Sequence, residues 1–324
     1  MADLKRERRT TLIAAAVVAL ALSLAPSASA APNEVSSCQT LSAPGAYSLT
    51  ADLATVDATC IEITASDVRL DLAGHTISCT GSGFEGSCQV AAVGPSAVSL
   101  VAGITGVVVK GPGTIRDFDN GVRIAESNAR VSELTITGPS GCDPATCSRP
   151  TSNGIIAHGP LDANGFPTGV GLAGVNVSHN DVSNYQWGIR MLSVNCPGGD
   201  VGCAINANTV RDNSCNGIQI VGDGYTLTRN VARSNSSSPC FPATGIGLLG
   251  GGNTVTNNDS FNNFGFGISA GPGANGNVIA NNTARGNSAV DLRGFPGTVN
   301  TWLDNNRCNT ESGAVPSSVC NPGE

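Results

Sequence analysis

The chain has 324 residues, 17 basic against 24 acidic for a formal charge of −7, and only 13% charged residues overall. Glycine is abundant, at 41 residues, which suits a chain of many tight turns and disfavours long helices. Beyond its first residues the chain lacks clustered positive charge, which excludes nucleic acid and anionic membrane surfaces as partners.

Residues 1–30 are laid out as a secretory signal peptide. Lys5, Arg6, Arg8 and Arg9 form a basic start, 11–24 an apolar run, and Ala28-Ser29-Ala30 a small-residue cleavage site. Cleavage is expected after Ala30, which places the mature chain outside the cytoplasm, secreted or otherwise extracytoplasmic. The apolar run is too short for a good membrane span, so no membrane partner is expected once it is removed. Arg8-Arg9 also admits twin-arginine export, and the route stays open. The mature chain keeps 13 basic against 22 acidic residues, a charge of −9, with Lys110 its only lysine.

All 12 cysteines fall in the mature part. An even count in an exported chain points to disulfides. Taken in order they pair as Cys38–Cys60, Cys79–Cys88, Cys142–Cys147, Cys196–Cys203, Cys215–Cys240 and Cys308–Cys320, each closing a short loop. Zinc would need four ligands at close spacing, and no Cys-x-x-Cys or neighbouring histidine pair occurs. No metal or cofactor is expected.

Residues 31–58 are expected to cap the N-terminal end of the fold. Strands with period-two alternation follow: Cys60-Ile61-Glu62-Ile63-Thr64, Val68-Arg69-Leu70-Asp71-Leu72, and then the segments opening at Gly74, Val107 and Gly113. From residue 120 a phrase recurs: Asn-Gly-Val-Arg at 120–123, Asn-Gly-Ile-Ile at 153–156, Trp-Gly-Ile-Arg at 187–190 and Asn-Gly-Ile-Gln at 216–219. It continues as Thr-Gly-Ile-Gly at 244–247 and Phe-Gly-Ile-Ser at 266–269. Within it Val122, Ile155, Ile189, Ile218, Ile246, Ile268 and Leu292 form one inward column. Ile124, Ala157, Met191, Ile220, Leu248 and Ala270 form a second. Arg123, Ile156, Arg190, Gln219, Gly247, Ser269 and Arg293 lie between the columns and point outward.

A second phrase alternates with the first. Asn208/Asn213, Asn230/Asn235, Asn258/Asn263 and Asn282/Asn287 are each five apart. Stacked asparagines at corners exchange amide hydrogen bonds along an axis and tolerate the left-handed backbone that corners need. Self-similarity at 20 to 35 residues marks a stacked repeat. Neither a Leu-x-x-Leu-x-Leu register nor helical Ala/Leu/Glu surfaces are present. The expected fold is all-β, a single-stranded right-handed parallel β-helix of about ten rungs, roughly 50 Å long. The helix proper is assigned to 59–300, and 301–324, stapled by Cys308 and Cys320, to a C-terminal cap.

On these motifs the chain resembles right-handed parallel β-helix proteins of the pectin-lyase-like superfamily, over about residues 55–310. Within it the chain looks most like the bacterial group of periplasmic copper-accessory (NosD-type) and carbohydrate-binding β-helix repeats. The resemblance implies a polysaccharide or cell-surface glycan partner held on the outer face of the first sheet. The fold hosts lyases, hydrolases, epimerases, adhesins and inert binders, so the resemblance leaves enzyme status uncertain. Copper would need clustered soft or imidazole ligands, and only His75, His158, His179 and Met191 are present besides the cysteines.

Extra residues at 138–152, 159–170, 192–204 and 236–243 flank the Gly-Ile strands and are expected to wall a groove. Arg123, Arg190 and Gln219 would form its floor with His158, and Tyr185 and Trp187 an aromatic platform for sugar rings. The favoured expectation is glycan binding without catalysis. The alternative is a lyase, C5-epimerase or glycoside hydrolase on an acidic glycan, with His158 and Arg190 as acid–base groups and Arg123 as carboxylate clamp. Asp117 and Asp119 fit an acidic corner better than a glycosidase pair. Phe261, Phe264 and Phe266 are expected to stack together or pack inward.

Overall fold

A computed structural model of the chain describes residues 31–81, 88, 94–139, 152–159, 171–192, 196, 202–236 and 243–320. Residues from Pro32 onward form one compact unit. The strands pair in parallel throughout, in an 11-stranded and an 18-stranded sheet. The chain is a right-handed parallel β-helix.

The 11-stranded sheet stacks the Gly-Ile strands and forms the Gly-Ile face. Its register runs Arg123 to Ile156 to Arg190 to Gln219 to Gly247 to Ser269 to Arg293, without slip. Both expected inward columns are buried at 0% exposure, from Val122 to Leu292 and from Ile124 to Ala270. The stack extends further than the Gly-Ile phrase, because Ile61 and Val98 continue the first column toward the N-terminus.

The 18-stranded sheet folds around a corner into two faces. In the central rungs each turn supplies two three-residue strands, such as Asn176–Ser178 and Asp181–Ser183, or Thr226–Thr228 and Val231–Arg233. The first of each pair stacks into the first Asn face and the second into the second Asn face.

One residue turns the chain between these faces. His179, Ala207, Arg229, Asn257 and Asn281 hold φ between 53° and 58°. The asparagine after each is buried and donates its Nδ2–H to the Oδ1 of the next rung: Asn180 to Asn208, Asn230, Asn258, Asn282 and Asn306, at 2.9 to 3.0 Å. A non-glycine residue in the left-handed region costs about 1–2 kcal/mol, and the ladder bonds offset that cost along the stack. A second ladder, Asn213 to Asn235, Asn263 and Asn287, marks the corner before the Gly-Ile face.

Residues 31–58, expected as a cap, form four short strands already paired in parallel with the following rung. Disulfides join Cys38–Cys60, Cys79–Cys88, Cys196–Cys203 and Cys308–Cys320, as the sequential pairing predicts. Cys142, Cys147 and Cys240 lie outside the described residues, as does the expected signal peptide.

Candidate functional site

The strand period puts Arg123 and Arg190 on the outer Gly-Ile face two rungs apart, about 10 Å at the usual strand spacing. Each makes its one side-chain hydrogen bond among the described residues through Nε. Arg123 donates from Nε to His158 Nε2 at 2.9 Å, and Arg190 donates from Nε to Gln219 Oε1 at 2.9 Å. The Arg190 guanidinium also lies 3.9 Å over the Trp187 ring. The terminal amino groups of both arginines have no protein partner among the described residues. That leaves two oriented forks for planar anions.

His158 is buried, and its Nδ1–H donates to the Gly159 carbonyl at 2.9 Å. Its Nε2 therefore carries the lone pair that receives Arg123. Burial holds the imidazole below the usual histidine range; the Gly159 bond opposes this and the Arg123 cation adds to it. Burial also lowers Arg123, and lowers Arg190 to about 10, so both remain cationic at neutral pH.

The expected floor thus comes together as two anchored pairs, Arg123 with His158 and Arg190 with Gln219. Trp187 is half-buried beneath Arg190. Tyr185 does not join the platform: it is 2% exposed, packed in the core beside Gly138 and Gly154, and presents no ring to solvent. The expected groove walls fall mostly outside the described residues. The three phenylalanines do not pack inward either. Phe264 is 56% exposed, Phe261 is half-buried on an outer face, and Phe266 lies under the Arg293 guanidinium at 4.3 Å.

Among the described residues no carboxylate pairs with Arg123 or Arg190. In the outward row the nearest acid is Glu62, two rungs before Arg123. Asp117 occupies a left-handed corner at φ 68° with Arg116 3.7 Å away, and Asp119 packs against the Gly94 backbone. The acidic-corner expectation describes both. The four described disulfides hold eight cysteines, and Met191 is buried in the core.

Two buried acids escaped the sequence reading. Asp291 occupies the position that is glycine in other rungs, paired through its neighbours with Gly267. Its Oδ1 accepts from Asn287 Nδ2 at 2.8 Å and its Oδ2 from the Asn309 amide at 3.0 Å, closing the second ladder. The break in the Gly-Ile phrase was its signal. Glu126, at the corner leaving strand Asn120–Ile124, is 1% exposed with no hydrogen bond to its carboxylate. Burial pushes it up to about 7, opposed by the Val107 backbone.

No protein-family model matches this sequence, and no curated protein matches it. Solved structures do match. A variant of the periplasmic alginate epimerase AlgG superposes with a TM-score of 0.56 at 14% identity, over 81% of this chain and 62% of that one. A second AlgG variant gives 0.52 at 14% identity, over 77% and 62%. The A-module of the mannuronan C-5 epimerase AlgE6 from Azotobacter vinelandii gives 0.52 at 13% identity, over 84% and 79%. This chain spans 62% of the AlgG length. At these identities the likeness is one of fold.

Proposed function

We propose that the protein is exported and binds an acidic polysaccharide along the Gly-Ile face. The observation that carries this reading is the pair of arginines, each fixed through Nε and each with its terminal amino groups unpaired. Arg211, by contrast, is tied by three hydrogen bonds to Asp181 and Asp212. Arg123 and Arg190 instead present two cationic forks on one line, with the Trp187 indole beside the second. This combination suits a chain of carboxylated sugars, where forks take the carboxylates and the indole packs against a ring. Export accords with the disulfides, which persist in oxidising compartments, and with the expected signal peptide. The epimerases that share the fold act, by their names, on alginate or mannuronan, which makes a uronate polymer the first ligand to test.

Catalysis on the same glycan is the second reading, and the His158 geometry bears on it. A lyase or epimerase needs a base with a free lone pair at the sugar. The Nε2 lone pair of His158 is engaged by Arg123, so His158 acts here as a positioning residue, and binding is favoured over turnover.

Titration of the mature protein with a panel of polyuronates, beside assays for unsaturated product and reducing ends, tests both readings. The expected result is saturable binding, weakened about tenfold or more in Arg190→Ala and in Trp187→Ala, without product. Product formation would overturn the binding-only reading. No binding to any uronate would overturn both.

A further inference from the structure

We propose that the second Asn face is a separate docking surface for a carboxylated polysaccharide, so that one rod engages two glycan chains. This surface lies around a corner from the Gly-Ile face, beyond the second asparagine ladder; its own binding stands apart from the reading of that face, and only the count of two chains per rod rests on it.

Its outward row stacks Arg211, Arg233, Phe261 and Arg285 in direct register over four consecutive rungs. The members are not equivalent. Arg211 is neutralised: Nε and Nη2 bind the two oxygens of Asp181 at 3.2 Å, and Nη1 binds Asp212 at 3.0 Å. Arg233 and Arg285 have no hydrogen-bond or ion-pair partner among the described residues. Phe261 sits between them, half-exposed, on the rung where a polar residue would serve solubility better. The one acid in the parallel outward row at this level is Asp259, and it faces Val231 and Thr283 across the register, not the arginines.

Arg211 is balanced by acids of its own and the preceding rung. Arg233 and Arg285 have no such acid partner among the described residues, and they flank Phe261 from the rungs on either side. Two rungs separate them, about 10 Å. That is of the order of the two-sugar repeat of an extended β-1,4-linked uronate chain, whose carboxylates return to the same side at each repeat. Each arginine would take one carboxylate and Phe261 the sugar ring between them. The contact spans two or three sugars, so each site alone is weak, and two strips on one rod raise the hold on long chains through effective concentration.

Calorimetric titration with a short oligouronate decides the matter. The wild-type protein is expected to show two sites per chain, and Arg233→Ser/Arg285→Ser one, with an unchanged melting temperature because both side chains are exposed or half-exposed and unpaired. Phe261→Ala is expected to weaken that one site about tenfold. With long polyuronate, the wild type is expected to form light-scattering networks and the double variant soluble complexes. A number of sites left unchanged in Arg233→Ser/Arg285→Ser would overturn the proposal. If Arg123→Ala/Arg190→Ala keeps both sites while Arg233→Ser/Arg285→Ser loses one, the second surface stands and the Gly-Ile reading fails. No binding by the wild type overturns both.

Discussion

At the scale of single residues, Arg211 is neutralised by Asp181 and Asp212, while Arg190 meets no carboxylate among the described residues. Arg190 is oriented by Gln219 and by the Trp187 ring, and neither partner neutralises its charge. Removing Gln219 should therefore loosen the fork and leave its charge intact. Gln219→Ala is expected to weaken uronate binding less than Arg190→Ala, with each changing stability by under about 1 kcal/mol, as chemical denaturation would show. Because the His158 pKa is lowered, the ring is neutral through physiological pH and keeps accepting from Arg123. Binding should stay flat between about pH 7 and pH 8 and fall only in acid, where protonation removes the acceptor and sets two cations together. A binding curve that strengthens as His158 titrates would contradict this. Glu126 gives a second pH dependence, of stability. Its folded pKa of about 7 lies above the ordinary value of 4.5, so the fold prefers the neutral acid. Stability is greatest below the unfolded value, falls as pH rises from there to about 7, and then levels off. Glu126→Gln should raise the melting temperature near pH 8 and leave it almost unchanged near pH 4.

At the scale of the element, each rung is set by three features: an inward pair of apolar residues, a left-handed corner and a buried asparagine. The repeat glycine is required by close approach. A Cβ at Gly188 would come within 2.7 Å of the Gly217 carbonyl and closer still to Val210. Gly188→Ala is expected to cost more than the ordinary helix or strand penalty, on the order of 2 kcal/mol or more, because backbone and core would both have to shift. Asn258 donates to the carbonyls of Leu227 and Thr256 and to Asn282, and accepts from Asn230. Asn258→Ala leaves several buried groups unpaired and should cost about 2–4 kcal/mol by denaturant unfolding, whereas an exposed asparagine such as Asn275 should tolerate the change. These features were legible because they repeat: periodicity fixes which side chains point inward and which amides stack. Tyr185, expected in an aromatic platform, stands one residue past the corner residue Asn184, where the chain has already turned and the ring points into the core. Asp291 shows in the sequence only as a break in the Gly-Ile phrase, and Glu126, which occurs once, carries no periodic signal of burial.

At the scale of the molecule, the β-helix converts one-dimensional repetition into lines of side chains at a fixed rise. Where those lines carry Thr, Ser and Asn, the surface is ordinary. Where they carry unpaired arginine beside an aromatic ring, on the Gly-Ile face and on the second Asn face, the rise matches a polymeric anion better than a small molecule. The outward positions could be read from sequence. The anchoring of Arg123 by His158 could not, because the two are 35 residues apart and meet only through the stacking of adjacent strands. The central claim is that an acidic glycan lies across Trp187 and the two arginine forks. Trp187 and Trp302 are the only tryptophans, and Trp302 is buried, so Trp302→Phe makes Trp187 emission a direct report on the face. Titration with polyuronate is predicted to change that emission saturably, with no response to a neutral glycan and none when Arg123→Ala and Arg190→Ala are added. A response that survives loss of both arginines, or uronate binding that leaves the emission unchanged, would contradict the account.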